Sequence, residues 1–202
     1  MNMKVSALSV VLYLASALFA DAQIVECLST KGVFEIEIFP DWSPLGAQRY
    51  LELVQDGFYT DIPMYRSVAG FLTQFGITEN PAHKHWHGNQ IKDDPNLHKG
   101  IRKHYVSFAG GGPNTRSTQI FIAYKDLDFL GKAPWETPFG RVVAGGDVVD
   151  SLHTGYGDIP PYGKGPDQQQ LYRQGNSYIR EQFPLTDFIQ RCRVKGKDEE
   201  EF

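Results

Sequence analysis

The stretch from Val106 to Phe121, VSFAGGGPNTRSTQIF, constrains the fold of this chain more than any other segment. Apolar residues begin and end it, and three glycines at residues 110–112 lie between them. Glycines free the backbone for turns and for the close approach of another chain. Pro113 fixes one φ angle and removes one donor. We therefore predict a strand, a rigid exposed loop that presents its backbone to a partner, and a second strand. A tight β connection without function is the alternative.

The composition is that of one globular domain. The chain has 202 residues, of which 41% are hydrophobic and 22% charged, and this length suffices for a sizeable core. Twenty glycines and twelve prolines favour a β-rich fold with many turns. The net charge is −4 without a basic block, so we expect no nucleic-acid partner. The oligomeric state is not indicated by these features, and a monomer is taken as the default.

The first 22 residues have the pattern of a signal peptide. Lys4 precedes an apolar run at residues 5–19, and Ala20-Asp21-Ala22 has the small-x-small form of a cleavage site. The run is too short for a good membrane span. We predict cleavage before Gln23, a domain over residues 23–195, a charged tail at 196–202, and a protein of the ER lumen or one that is secreted, with no membrane association after cleavage. An uncleaved anchor is the alternative.

Two cysteines, Cys27 and Cys192, lie near opposite ends of the predicted mature chain. An even count invites pairing in an oxidising compartment. A bridge would constrain the unfolded chain by about 4 kcal/mol on the loop-entropy model. Two buried free thiols are the alternative.

Alternating and helical patterns predict the first elements. Residues 24–29 and 33–39 are predicted strands joined by a turn at Lys31-Gly32, and in the second strand every other residue is apolar. Ser43 and Pro44 are predicted to open a helix as N-cap and first helical residue, which ends at Gly57.

Fewer signals mark the later elements. Asp147 is predicted to cap a second short helix. Residues 139–143 and 188–194 are predicted strands, with residues 176–183 leading into the last of them. Residues 78–97 and 155–170 are predicted loops.

The predicted loop at residues 78–97 contains His83, His85 and His87. If the segment were extended, the three rings would share one face and could form a zinc or copper site. A solvated loop is the preferred interpretation, because no cysteine or carboxylate lies nearby at ligand spacing. We therefore predict no metal site.

Arg66 and Gln74 interrupt a mostly apolar, strand-like segment at residues 59–76. An arginine in a strand is usually an outward-pointing surface residue. The alternative here is a guanidinium held over an apolar patch by the amide of Gln74.

Three separated motifs resemble those of the cyclophilin-type peptidyl-prolyl cis-trans isomerases. Residues 65–74, YRSVAGFLTQ, resemble F-H-R-x-x-P-G-F-M-x-Q. Residues 107–122, SFAGGGPNTRSTQIFI, resemble S-M-A-x-x-G-P-N-T-x-x-S-Q-F-F-I. Residues 139–149, FGRVVAGGDVV, resemble F-G-x-V-x-x-G-x-x-V-V. The resemblance covers residues 24–194, and its last part is similar to a divergent branch of the family.

The resemblance implies a closed eight-stranded antiparallel β-barrel capped by two short α-helices, and an isomerase without a cofactor. Arg66 matches the catalytic arginine, and Gln74 would orient it. The remaining matches are substrate-binding positions: Phe71, Leu72, Ala109, Gly110, Gln119, Phe121 and Leu130. Trp135 stands near the position of a family histidine, would fill its space, and is predicted as a further substrate-binding residue.

Several positions depart from the family pattern. Phe129 stands where the family has a tryptophan, which removes an indole N–H donor and predicts weak binding of cyclosporin-type ligands. Arg116 and Thr118 are predicted to change access to the side pocket.

Two main functions follow from these features. The first is a peptidyl-prolyl cis-trans isomerase that acts on proline-containing polypeptides of the secretory pathway or the extracellular space. The second is a catalytically weak module that binds proline-containing loops. A metal-binding extracellular protein that uses the three histidines ranks last.

Overall fold

The computed structural model describes residues 23–95 and 100–196, and a nine-stranded antiparallel sheet dominates it. The strands are β1 (Gln23–Ser29), β2 (Gly32–Ile38), β3 (Ile62–Pro63), β4 (Arg66–Val68), β5 (Leu72–Phe75), β6 (Tyr105–Phe108), β7 (Ile120–Ala123), β8 (Pro138–Ala144) and β9 (Phe188–Val194). Their order is β3-β9-β1-β2-β8-β6-β7-β5-β4. Only Met64 and Tyr65 separate the two edge strands β3 and β4 along the chain, so the connectivity brings the two edges of the curled sheet side by side.

The described residues also include four α-helices and two short 3-10 helices. The α-helices are α1 (Pro44–Gln55), α2 (Gly146–Asp150), α3 (Gln168–Gln174) and α4 (Asn176–Gln182), and the 3-10 helices are Pro81–Trp86 and Pro134–Glu136. Helix α3 begins inside the predicted loop at residues 155–170, and α4 occupies the segment at residues 176–183 that was predicted to lead into the last strand. Both helices were missed because helices of seven residues give a weak periodic signal. In the described part of the chain, no helix has the length and apolar character needed to cross a membrane.

The predicted fold class is confirmed, with two differences in the sheet and with four α-helices among the described residues where two were predicted. The protein is mainly β, with antiparallel strands and short helices, as predicted. The sheet has nine strands instead of eight, and its edge strands β3 and β4 are joined through the chain and not by a hydrogen-bonded ladder. The predicted signal peptide, residues 1–22, lies outside the described residues, as do residues 197–202, so the domain limits stay predictions.

The core lies inside the curled sheet. Phe34, Ile36 and Ile38 on β2 are fully buried, which confirms the predicted alternation. Helix α1 packs against β8 and β9 and buries Tyr50 and Leu53 completely. The apolar face of this helix is therefore centred on those two side chains.

Helix α1 begins at Pro44 as predicted, but its N-terminus is capped by a distant residue. The Ser43 side chain makes no capping hydrogen bond. Instead, the Asp94 carboxylate accepts the N–H groups of Leu45 at 2.8 Å and Gly46 at 3.0 Å, and Ser43 donates its hydroxyl to the same carboxylate. Arg116 completes this cluster with an ion pair to Asp94 at 2.9 Å, and both side chains are 0% exposed.

The pKa of Asp94 lies below its ordinary value. Burial alone would raise it, but the hydrogen bonds from Ser43, Leu45, Arg116 and Gly46 together outweigh burial, because each favours the charged carboxylate.

Cys27 and Cys192 form a disulfide, which decides between the two alternatives left open by the sequence. They are register partners on the neighbouring strands β1 and β9, with Cα atoms 4.1 Å apart. The bridge joins residues 165 positions apart, so on the chain-entropy model it stabilises the fold by about 5 kcal/mol.

Candidate active site

The β4–β5 hairpin places Arg66 directly opposite Gln74. The register pairs Arg66 with Gln74 and Val68 with Leu72, and Gly70, with φ of 65°, lies in the turn between them. Arg66 Nη1 donates to Gln74 Oε1 at 3.0 Å. The guanidinium carbon lies 5.4 Å from the centre of the Phe71 ring. Of the two arrangements left open by the sequence, the structure shows the second, a guanidinium beside an apolar ring with its orientation set by an amide.

Asp158 holds the other edge of the same guanidinium, and sequence reasoning missed this residue. Arg66 Nε donates to Asp158 Oδ1 at 2.7 Å, and Nη2 donates to Oδ2 at 3.1 Å. A backbone bridge between Ser67 and Gly157 is antiparallel, and this register brings Asp158 beside Arg66. The hydrogen bonds from Arg66, aided by the N–H of Ile159, hold the pKa of Asp158 below its usual value.

The pocket beside Arg66 has a volume of about 460 Å³. Nine of the ten predicted site residues line it: Arg66, Phe71, Leu72, Gln74, Ala109, Gly110, Gln119, Phe121 and Leu130. Leu72 and Phe121 are 3% and 5% exposed and belong to an apolar cluster against which Phe71 and Leu130 pack. The pocket thus combines an apolar floor with one cationic wall.

Trp135 is the one predicted site residue that is absent from the lining of this pocket. It belongs to the 3-10 helix Pro134–Glu136, and its Cβ lies 3.2 Å from the position that a Cβ on Gly110 would take. The next residue, Glu136, does line the pocket. A direct substrate contact by Trp135 stays a prediction, and its Cβ leaves little room for a side chain at position 110.

A chain of polar side chains runs from Arg66 into the wall of the pocket. The Tyr65 hydroxyl donates to Gln119 Oε1 at 2.5 Å and accepts from Gln74 Nε2 and Gln168 Nε2, both at 2.7 Å. Gln119 Nε2 donates to the Tyr172 hydroxyl at 3.0 Å. Burial raises the pKa of Tyr65, so this hydroxyl stays protonated and keeps its role as donor.

Helix α3 supplies two members of this network, Gln168 and Tyr172, which the sequence analysis had not identified. Gln168 and Ile159 also line the pocket. Both come from the long segment between β8 and β9, which therefore forms part of the wall. The predicted substrate residue Gln119 lines the pocket, and its amide is held between Tyr65 and Tyr172.

The glycine loop between β6 and β7 forms the opposite wall. Thr115 accepts the Gly111 N–H at 2.9 Å and donates to the Gly112 carbonyl at 2.7 Å, which braces the loop. The exposed loop predicted from the sequence is therefore present, with Gly110 and Gly111 at the pocket.

The expectation that Arg116 and Thr118 control access to a side pocket was wrong. Arg116 is 1% exposed and pairs with Asp94, and Thr118 is fully buried and donates its hydroxyl to the Gly76 carbonyl. Both side chains point into the protein because buried partners satisfy their polar groups.

Phe129, which stands at the position of the family tryptophan, lies at the rim. Its side chain is 61% exposed, and its ring stacks on Phe71 at 5.8 Å between centroids. It can cover one side of the apolar floor but offers no N–H donor to a ligand.

The three histidines do not converge. The segment forms the 3-10 helix Pro81–Trp86 instead of an extended loop. His83 lies 3.7 Å from Asp56, His85 contacts the Ala82 carbonyl, and His87 accepts the Thr78 N–H. No cluster of three or more His, Cys, Asp or Glu side chains with metal-binding geometry occurs among residues 23–95 and 100–196. The metal-binding alternative therefore has no support in this geometry.

The structure has an apolar pocket beside a fixed guanidinium on a curled antiparallel sheet. These features agree with the class of protein implied by the sequence motifs, a cyclophilin-type isomerase. The family model "Cyclophilin type peptidyl-prolyl cis-trans isomerase/CLD" matches residues 24–169. The match spans well over half of the chain, so this chain belongs to the cyclophilin-type peptidyl-prolyl cis-trans isomerase family.

Individual relatives agree with this assignment. Peptidyl-prolyl cis-trans isomerase-like 3 of Dictyostelium discoideum is 32% identical over 128 residues, which cover 61% of this chain and 78% of that protein. Peptidyl-prolyl cis-trans isomerase CYP18-1 of Arabidopsis thaliana is 32% identical over 136 residues, with 64% and 83% covered. CYP65 of the same plant is 33% identical over 127 residues. The match covers 60% of this chain but only 20% of CYP65, so the chain spans about a fifth of that relative.

Solved structures show the same fold. A cyclophilin-type peptidyl-prolyl cis-trans isomerase of Cryptosporidium parvum superimposes with a TM-score of 0.60 at 19% identity, covering 88% of this chain and 99% of that one. A second crystal structure of that protein, determined in the presence of the dipeptide Ala-Pro, gives a TM-score of 0.58 at 20% identity and covers 85% and 98% of the two chains.

Proposed function

We propose that this chain is a peptidyl-prolyl cis-trans isomerase that acts on X-Pro bonds of polypeptides in an oxidising compartment. The observation that carries the proposal is the Arg66 guanidinium, fixed by Gln74 beside an apolar pocket of about 460 Å³. The Cryptosporidium relative that was crystallised with Ala-Pro supports a proline-containing substrate.

The chemistry needs orientation and one well-placed donor. Rotation about a peptide bond has a barrier of roughly 18–20 kcal/mol because the C–N bond has partial double-bond character. When the amide is twisted, the prolyl nitrogen regains its lone pair and becomes a hydrogen-bond acceptor. A donor that reaches this nitrogen only in the twisted state lowers the barrier. No covalent step is required.

The residues of the pocket suit these roles. Phe71, Leu72 and Phe121 would hold the proline ring on the apolar floor. Arg66 would donate to the prolyl nitrogen, since a guanidinium stays charged and planar. The backbone at Gly110 would hold the substrate chain on the other side.

The test compares wild type with Arg66→Ala in a chymotrypsin-coupled isomerisation assay on a short X-Pro peptide. Wild type is expected to accelerate the slow phase, and Arg66→Ala is expected to lose most of that acceleration. Arg141→Ala is the matched control, because Arg141 is a half-exposed arginine on β8 that pairs with Glu37. An equal loss in the control, or no loss in Arg66→Ala, would contradict the role of Arg66.

Peptide binding distinguishes the isomerase from a weak binding module. The Arg66→Ala variant should still bind the peptide, because the apolar floor remains. If wild type binds the peptide without accelerating the slow phase, the chain is a proline-loop binding module. Weak binding of cyclosporin-type ligands is expected, because Phe129 lacks the indole N–H donor. A titration of the wild-type protein with such a ligand measures this affinity.

A location in the secretory pathway is supported by the disulfide, because such bonds are rare in reducing compartments. Expression of the full sequence in a eukaryotic host tests this part. A lumenal or secreted product that begins at Gln23 supports both the location and the cleavage. A product that stays in the cytosol contradicts the location, and a lumenal product that keeps residues 1–22 contradicts only the cleavage. Size-exclusion chromatography of that product tests the expectation of a monomer.

A further inference from the structure

We propose that Asp158 is a positioning residue for Arg66, and this inference rests on the proposed isomerase function. The carboxylate fixes the guanidinium so that its remaining N–H groups face the substrate amide. Nothing in the sequence patterns or in the family motifs quoted above assigns a role to Asp158.

The geometry of the guanidinium carries this inference. An arginine has five N–H donors in one plane. Two of them bond to Asp158 and one bonds to Gln74. Among the described residues, one N–H on each terminal nitrogen is left for a ligand. With two edges of the plane held by partners on opposite sides, the group cannot rotate without breaking a charge-assisted hydrogen bond.

The surrounding loop holds Asp158 itself in place. The Ile159 N–H donates to Asp158 Oδ1 at 2.7 Å, and the Gly165 N–H donates to the Asp158 carbonyl at 2.8 Å. Gly163 packs so closely that a Cβ there would lie 2.2 Å from the same carbonyl oxygen. The glycines of this loop therefore allow a close fit around Asp158.

Two physical effects of the carboxylate oppose each other. Its negative charge weakens the guanidinium as a donor, whereas its geometry fixes the donor in place. The two remaining N–H groups of Arg66 are available to a ligand in either case. Misplacement of a catalytic group by about 1 Å can cost about a hundredfold in rate. The effect of the carboxylate on position therefore outweighs its effect on donor strength. Without Asp158, Gln74 still holds one edge of the guanidinium, so we expect kcat to fall about tenfold, which corresponds to about 1.4 kcal/mol in the activation free energy.

The test is Asp158→Asn in the full chain, which keeps the shape but removes the charge and the second acceptor oxygen. We expect kcat to fall about tenfold while peptide affinity changes less than about twofold, because the apolar floor is untouched. The exposed Asp41→Asn variant is the matched control. In a ¹⁵N–¹H spectrum, the Arg66 Nε–H signal, assigned by its loss in Arg66→Ala, should move and exchange faster with water only in Asp158→Asn.

A second variant moves the carboxylate without removing it. Gly163→Ala should displace Asp158 and lower kcat in the same way, whereas Gly88→Ala, which has open space around it, should not. If Asp158→Asn does not fold, this pair decides the question. A fall in kcat with retained peptide binding supports the proposal, and an unchanged kcat overturns it.

The outcomes separate this inference from the proposed function. If wild type and Arg66→Ala are equally inactive, the isomerase function fails, and an Nε–H signal that does not respond to Asp158→Asn overturns the positioning role as well. If wild type is active, Arg66→Ala is not, and Asp158→Asn keeps the wild-type kcat, only the role of Asp158 is overturned.

Discussion

Asp94 and Arg116 form a buried ion pair, and we expect the loss of Asp94 to lower the free energy of unfolding more than the loss of Arg116. Removal of one partner from a buried ion pair costs about 3–5 kcal/mol. Asp94→Ala leaves Arg116, which is 1% exposed, without its closest carboxylate and also removes the cap from helix α1, a contribution of about 1 kcal/mol. Because the two effects overlap, we expect a loss of about 4 kcal/mol in the free energy of unfolding.

Arg116→Met should cost less than Asp94→Ala, near the lower end of that range, about 3 kcal/mol. Asp94 then keeps three donors, the hydroxyl of Ser43 and the N–H groups of Leu45 and Gly46, and the positive end of the helix dipole stabilises its charge. The double variant should be no less stable than Asp94→Ala, because it also removes the buried guanidinium that Asp94→Ala leaves with only a longer ion pair, to Asp93 at 3.6 Å.

Urea unfolding at pH 7, followed by tryptophan fluorescence, measures these differences. A loss of about 4 kcal/mol should lower the unfolding midpoint by about 1.5 M. Asp41→Ala is the control for the loss of an exposed carboxylate. The reasoning would be refuted if Arg116→Met cost more than Asp94→Ala, or if the double variant were clearly less stable than Asp94→Ala.

Three further predictions concern the disulfide, acid stability and the polar network. Reduction of Cys27–Cys192, or Cys27→Ser with Cys192→Ser, should lower the free energy of unfolding by about 5 kcal/mol, as measured by urea unfolding with and without reductant. The folded-state pKa of Asp94 is lowered, so its stabilisation is present above the unfolded value of about 3.9 and is lost as the pH falls through the folded value. Wild type should therefore lose stability below about pH 4, and Asp94→Asn should flatten that dependence in unfolding curves between about pH 2 and 5. Tyr65→Phe should cost about 1–3 kcal/mol, because the amides of Gln74 and Gln168 lose a buried acceptor. It should also lower the isomerisation rate, and an unchanged melting temperature and rate would contradict this.

Local sequence patterns predicted the part of the site that one hairpin builds. Arg66 and Gln74 lie eight positions apart around a short turn, and an antiparallel hairpin of this length pairs them directly. The alternation in β2 likewise predicted its buried face, because period-two patterns depend only on the strand itself.

Contacts between distant segments escaped prediction. Asp158 reaches Arg66 through a bridge between Ser67 and Gly157, and no local pattern reports a pairing of that range. Arg116 was expected to change access to the side pocket, but it is buried. Its burial depends on Asp94, which is a partner that only the folded chain brings near.

Helix α3 was missed for a related reason. Its seven residues lie in a polar segment bounded by glycine and proline, and so short a helix gains its stability from packing rather than from propensity. The residues that it brings to the pocket, Gln168 and Tyr172, could be assigned only after its position was known.

The disulfide between β1 and β9 closes most of the folded chain into a loop. Because Cys27 and Cys192 lie near the two ends of the folded region, the chain between them is a covalent ring that contains the whole pocket. A protease that cuts one exposed loop opens this ring without releasing a fragment, and every strand stays tethered to its neighbours. Such a nicked protein would keep its mass under non-reducing conditions and fall apart into two pieces only when a reductant is added.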